Sequence, residues 1–444
     1  MNTSSFLKNL LRKVAAPVDS TRTAERKARE TVALCHALLS ERGEVSGAAL
    51  ARDALAAYDA LPANAFRPFI DLLAAEFSPD PAAIAAAAAA YAQDPAPQNL
   101  VALQNAVEPP RQELFRRLNV APGATATLVD LRRRLLREIK GNPQWFGVDA
   151  DLVHLFGSWF NRGFLRLERI DWRTPAIILE KLIQYEAVHE IAGWEDLHRR
   201  LTADRRCFAF FHPALPDDPL IFIEVALTDR ISDSVAPLLD PRSAEFDPAR
   251  ADCAIFYSIT NCQDGLRGIS FGNLLIKQVV HELGREFPRM KTFATLSPIP
   301  GFRAWLANVA RDQPAALPDL ARLAEPDWFM NADVAARLRP SLMKLCAYYL
   351  LSAKQNHAQE HEPLDAVARF HLGNGARMER LDWLADTSAQ GMQRSAGLMV
   401  NYVYRLADVE SNHEAFVRDH AIAASHELKR LARECVLAGA AGNS

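Results

Sequence analysis

Residues 254–288 read AIFYSITNCQDGLRGISFGNLLIKQVVHELGREFP, and three kinds of pattern follow one another within them. The run from Cys253 to Ile259 is apolar and β-prone, which predicts a buried strand. NLLIKQVVHELGREF carries apolar residues at a spacing of three and four, which predicts a helix. Between them lies the polar, glycine-containing Gln263-Asp264-Gly265-Leu266-Arg267-Gly268. A strand that feeds such a loop and then a helix makes a phosphate cradle, because unpaired backbone N–H groups and the positive end of the helix dipole face one spot. The stretch is neither a P-loop, since Lys-Ser/Thr is missing, nor a dinucleotide fingerprint, since Gly-x-Gly-x-x-Gly is missing. Glycine turns between strand and helix are common, so the loop takes its meaning from what surrounds it.

Downstream, KTFATL predicts a second strand ending at Ser297. Upstream, FLRLERI (164–170) alternates as a strand, TPAIILEKLIQYEAVHEI (174–191) is helical with Thr174 as its cap, and WEDLHRRL is a second short helix. RCFAFFH and PLIFIEVALT follow as strands, separated by the turn-forming PALPDD. Further on, AVARFHL and ARMERLDW flank Gly373-Asn374-Gly375 and predict a hairpin, which puts His371 on a strand arm. Before residue 157 the signals are helical throughout. LVDLRRRLLREI (128–139) repeats at three and four, Asp80-Pro81 reads as N-cap and first helical residue of an alanine-rich helix, and APGAT and GNPQ are stops. The fold class expected is α+β in two domains: an all-α bundle over 1–156 and a mixed α/β domain over 157–444.

A chain of 444 residues has ample length for two cores. About half of it is apolar and a quarter charged, as in ordinary globular proteins. A net charge of −3 gives no basic surplus for nucleic acid or an anionic membrane, and neither partner is expected. No apolar run reaches the ~20 residues a membrane helix needs. The six cysteines are scattered without a Cys-x-x-Cys pair, which fits a reducing cytoplasm rather than a disulfide framework or a zinc site. The basic N-terminus loosely resembles a mitochondrial presequence but is read as an exposed amphipathic first helix. The C-terminal AAGNS carries no Ser-Lys-Leu address.

Two residues stand out chemically. Pro298 and Pro300 fix the backbone on either side of Ile299, and Pro298 biases Ser297 toward an extended conformation, so the hydroxyl direction is pre-set. Taken alone, a serine there is more often a turn residue satisfying backbone. His371, beside Phe370, is likewise more often a hydrogen-bonded core residue. His357 and His361 have helical metal-ligand spacing but sit in the polar KQNHAQEHEP, while HELGR (281–285) and EAVHE (186–190) lack a complete ligand set, so no metal is expected.

The stretch from 254 to 288, together with FATLSPIPGFRAWL, VARFHLGNGARMERLDWLADTSAQG, SAGLMVNYVY and WFNRGFLRLERIDWRTPAIILEKLIQYEAVHEI, resembles the malonyl-CoA decarboxylase family over about 150–406. The loop itself resembles the pyrophosphate loop of the GCN5-related acyltransferase fold, in which coenzyme A lies between splayed strands. The resemblance implies a helical domain used in homo-oligomer assembly, as a dimer or tetramer, and an acyltransferase-like domain that converts malonyl-CoA to acetyl-CoA and carbon dioxide. No cofactor is implied, coenzyme A being part of the substrate. By motif match the catalytic serine falls on Ser297 and the catalytic histidine on His371. The malonyl-CoA loop falls on Arg267, Gly268, Ile269, Ser270, Phe271, Gly272 and Asn273, which extends the cradle of Gln263, Gly265 and Leu266. Arg267 and Lys277 are candidates for phosphate charge. Ser270 stands where some members carry glutamate, and Asp382 where an Asn-Trp pair is common. The competing activity on the same fold is acyl transfer to an amine or hydroxyl, for which no acceptor channel or base is identified.

Overall fold

The computed structural model describes residues 3–269, 275–312, 320, 322–323, 325, 327–354 and 362–438. The chain forms two compact units, one of Met1–Leu165 with His212–Pro216 and Gln263–Phe271, the other of Arg166–Phe211, Asp217–Cys262 and Gly272–Ser444.

In the first unit the described residues form the helices α1 (Thr3–Leu39), α2 (Glu41–Asp59), α3 (Phe66–Glu76), α4 (Pro81–Gln93), α5 (Pro97–Val107), α6 (Pro110–Leu118), α7 (Ala124–Glu138) and α8 (Phe146–Trp159). Helical spacing decides what they bury: Ala24, Ala28, Val32, Cys35 and Leu38 line one face of α1. Asp80 caps α4 as expected, its carboxylate accepting from Ala82 N at 2.9 Å with Pro81 in the first position. The loop at Gln263 joins this unit rather than the strands with which it was grouped by sequence. Two features hold it there. A Cβ on Gly265 would lie 2.0 Å from Val129 O, so only glycine allows the approach to α7. Arg132, also on α7 and buried, donates from Nη1 to Gly265 O (2.7 Å) and Arg267 O (2.8 Å), while its Nε pairs with Asp149 (2.8 Å).

The second unit is built on a mixed sheet of β1 (Arg166–Ile170), β2 (Arg205–Phe211), β3 (Ile221–Thr228), β4 (Cys253–Asn261), β5 (Thr292–Thr295), β6 (Ser297–Pro298), β7 (Arg377–Asp382) and β8 (Met399–Val403). Spatially the order is β1-β2-β3-β4-β5-β8-β6, with β7 also on β8. Among the described strands only β4 and β5 pair in parallel, and α12 (Leu275–Glu286) lies between them in the chain. α9 (Ala176–Tyr185) and α10 (Trp194–Arg200) pack Ile178, Leu179, Leu182 and Leu197 against Cys207, Ala209, Phe211 and Phe222. The other α-helices among the described residues are α11 (Ala236–Leu239), α13 (Phe302–Asp312), α14 (Ala332–Leu351), α15 (Ala366–Gly373), α16 (Ala389–Ser395), α17 (Val409–Asp419) and α18 (His426–Arg433).

Three local expectations are corrected. The segment 174–191 is helical only to Tyr185, because the Glu186 carboxylate accepts from Val188 N (2.7 Å) and His189 N (2.9 Å) and so holds a turn in place of the helix. Thr174 does not cap α9; its hydroxyl accepts from Asp171 N at 3.0 Å. AVARFHL is helix α15, not a hairpin arm. Asp365 caps it by accepting from Ala368 N at 2.8 Å, and Asn374 N closes it on Phe370 O and His371 O. Gly375 then takes a φ of +79°, where a Cβ would meet Val409 O at 2.0 Å. Gly-Asn-Gly therefore stops a helix, a role that glycine fills for the same left-handed reason as in a hairpin turn.

Candidate active site

The parallel pairing of β4 with β5 runs from Cys253↔Thr292 to Phe256↔Thr295, and Leu296 N still donates to Phe256 O at 3.0 Å. Beyond that point β4 continues to Asn261 on β3 alone. The strands therefore part at Ser297, which turns to pair with Val400 of β8. A cavity of ≈ 250 Å³ opens where they separate, walled by Tyr257, Ile259 and Asn261 from β4, by Leu296, Ser297 and Pro298, by Val188 and Ile221, and by Ala366, Val367, Phe370 and His371 of α15. Its wall is mostly apolar, with few polar groups, as ligand cavities are.

Ser297 and His371, 74 residues apart in the chain, meet here: Ser297 Oγ lies 3.1 Å from His371 Nε2. Both are buried. The turn of helix that replaced the expected strand arm is what delivers the ring to the end of β5. The ring is fixed on its other sides by Tyr404, whose Oη lies 2.8 Å from Nδ1, and by Tyr402, stacked on it at 4.4 Å between centroids. Ser297 Oγ also donates to Thr295 Oγ1 at 2.8 Å, and Tyr402 N donates to that same oxygen at 3.1 Å. Burial without a charged partner pushes the His371 imidazole down to about 3, so the ring is neutral near pH 7. Burial likewise pushes the Tyr404 phenol well above its ordinary range.

Ser297 and His371 are thus brought together. Of the loop residues, Gln263, Gly265, Leu266, Arg267, Gly268 and Ile269 lie on the helical unit, and Ser270, Phe271, Gly272 and Asn273 lie outside the described residues. Leu266, Arg267 and Ile269 commit their N–H groups to Gln263 O, Asp264 O and Leu266 O, so these three are turned away from a phosphate. Arg267 pairs with Asp264 at 2.9 Å on the surface, and Lys277 reaches Glu410 at 3.4 Å. Asp382, noted for its departure from the family pattern, accepts from Arg380 Nε at 2.6 Å, and burial pushes its carboxyl up to about 7. Among the described residues no three His, Cys, Asp or Glu side chains cluster as metal ligands, and His357 and His361 lie outside the described residues.

Thr295, Tyr402 and Tyr404 were not singled out from sequence. The signal was present, because residues two apart share a face of a strand: Thr295 with Ser297, and Tyr402 with Tyr404. Arg132, in a run of three arginines on a helix, gave no sign that one of them turns inward.

A family model described as the malonyl-CoA decarboxylase C-terminal domain matches residues 163–440, and one described as its N-terminal domain matches residues 77–160. The mitochondrial malonyl-CoA decarboxylase of Anser anser anser is 36% identical over 350 residues, 72% of this chain and 69% of that one. That of Rattus norvegicus is 35% identical over 359 residues, 74% and 72% of the two chains. Among solved structures, malonyl-CoA decarboxylase from Rhodopseudomonas palustris matches with a TM-score of 0.86 at 52% identity, over 91% of this chain and 99% of that one. The Agrobacterium vitis protein matches at 0.85 and 49%, over 90% and 99%. On these matches, the chain belongs to the malonyl-CoA decarboxylase family.

Proposed function

We propose that the chain decarboxylates malonyl-CoA to acetyl-CoA and carbon dioxide, with Ser297 and His371 acting on the malonyl group in the cavity between β4 and β5. The observation that carries the assignment of residues is the 3.1 Å contact of Ser297 Oγ with His371 Nε2 in a mostly apolar cavity. Loss of carbon dioxide breaks the bond between the carboxylate and the α-carbon, and its electron pair passes into the thioester carbonyl as an enolate. No metal or organic cofactor is required for that step. The apolar walls favour it, because a carboxylate stripped of water loses its charge as carbon dioxide leaves. The α-carbon must then receive one proton, drawn ultimately from solvent.

His371 supplies it in the following way. Burial keeps the ring neutral, and the incoming carboxylate provides the negative charge that a buried imidazolium needs. The additional proton binds at Nδ1, the nitrogen facing Tyr404. His371 then releases its Nε2 proton to Ser297 Oγ as the serine proton passes to the α-carbon, which leaves the ring neutral again. A backbone or hydroxyl donor on the enolate oxygen adds about 3 to 4 kcal/mol of transition-state stabilisation. Purified protein given malonyl-CoA alone tests the reading: carbon dioxide and acetyl-CoA should appear in equal amounts. An absolute requirement for an added amine or hydroxyl acceptor would favour acyl transfer and sink it.

A further inference from the structure

We propose that Thr295 is a positioning residue for the reaction, its hydroxyl oxygen fixing where the Ser297 proton points and hence which nitrogen of His371 carries a hydrogen. The inference rests on the Ser297–His371 reading above.

A hydroxyl oxygen has two lone pairs. Both on Thr295 Oγ1 are occupied, one by Tyr402 N–H at 3.1 Å and one by Ser297 Oγ–H at 2.8 Å. Ser297 has a single proton, and once it is directed at Thr295 the serine can only accept from His371. That places the ring hydrogen on Nε2 and leaves Nδ1 to accept from Tyr404 Oη. The order of donors is therefore Tyr404 to His371 to Ser297 to Thr295, and Thr295 closes the chain.

Thr295 is itself held. It is buried on the last residue of β5, opposite Phe256, and its carbonyl accepts from Asn401 Nδ2 at 2.8 Å. Only Leu296 separates Thr295, the last residue of β5, from Ser297, the first of β6, and both side chains are short and buried, so their contact is set by adjacent backbone rather than by long flexible side chains. A valine at 295 keeps the shape and removes the acceptor. The Ser297 hydroxyl then turns to His371 Nε2 and the ring hydrogen moves to Nδ1, so the additional proton has to enter at Nε2, which the serine hydrogen already occupies, instead of at Nδ1 facing Tyr404.

The test compares Thr295→Val with Thr295→Ser, using nitrogen NMR of His371 and steady-state kinetics on malonyl-CoA. In the unaltered protein the neutral ring should carry its hydrogen on Nε2. Thr295→Val should shift it to Nδ1 and lower kcat at least tenfold, with KM changed less than threefold, while Thr295→Ser restores both. A ring hydrogen on Nδ1 in the unaltered protein overturns the inference without any variant, so poor folding of the valine form leaves it testable. Equal kcat for the valine and serine forms would also overturn it. Ser297→Ala and His371→Asn, assayed alongside, separate the two levels. If they keep full activity the Ser297–His371 reading has failed; if they lose it and Thr295→Val does not, only the role of Thr295 has.

Discussion

A carboxylate bound in the Ser297–His371 cavity should carry a proton in with it. Burial holds the His371 imidazole down to about 3, so at pH 6 nearly every ring is neutral before a carboxylate binds. A carboxylate held roughly 4 Å from the ring interacts with an imidazolium by about 4 kcal/mol at an effective dielectric of ~20. Dividing by ~1.4 kcal/mol per pH unit gives a rise in proton affinity of about 3 units. Half of the occupied sites should then hold the extra proton near pH 6, nearly all near pH 5 and about a tenth at pH 7. The sign follows from the direction of the shift: the unoccupied ring is the weaker base, so binding takes protons up, and increasingly so as pH falls. Titration calorimetry at pH 6 in two buffers of different ionisation enthalpy measures the uptake, using a malonyl-CoA analogue that keeps the carboxylate and cannot lose it. About half a proton per site is expected, with none for acetyl-CoA and none for His371→Asn. Equal uptake with acetyl-CoA, or none with the carboxylate analogue, would refute the reasoning.

Three further outcomes follow from contacts away from the reacting atoms. Arg132→Met removes the guanidinium that holds Gly265 O and Arg267 O, and should raise KM for malonyl-CoA several-fold with little change in kcat if the loop carries the coenzyme; steady-state kinetics decides it, and an unchanged KM would count against that role. Gly375→Ala forces a side chain into a left-handed position against Val409 O and should cost about 2 kcal/mol or more, read as a fall of several degrees in melting temperature. Asp151→Ala strands the buried Arg111, whose Nε donates to Asp151 at 2.7 Å, and should destabilise the helical unit by about 3–5 kcal/mol in urea titration. An effect under 1 kcal/mol would show that the site rehydrates.

The two-part architecture was legible because period and composition change together: helical spacing in LVDLRRRLLREI, then β-prone runs from RCFAFF onward. The strand and the helix of 254–288 are present as β4 and α12, and the strand before Ser297 is present as β5, which ends at Thr295. What sequence misjudged turns on side chains competing with backbone. Glu186 ends α9 early by capturing two N–H groups, which no periodicity reveals. Asn-Gly at 374 and 375 serves a helix stop as readily as a hairpin, because both need the same left-handed residue, and the cap at Asp365 decided between them. Ser297 and His371 were singled out through their motifs and their resemblance, since neither is distinctive alone. The residues that orient them, Thr295 and Tyr404, became visible only when β5, β8 and α15 were in place.

The pairing of Ser297 with His371 is tested most sharply by a double-variant cycle on the decarboxylation rate, with coenzyme A binding measured in every form. Ser297→Ala and His371→Asn should each lower kcat by about 10²- to 10⁴-fold while coenzyme A affinity stays within a few-fold. Because the two groups pass one proton between them, the double variant should be no worse than the weaker single variant by more than a few-fold. Losses that multiply in the double variant, or a single variant that retains full activity, would contradict the proposal that the two residues act as one unit.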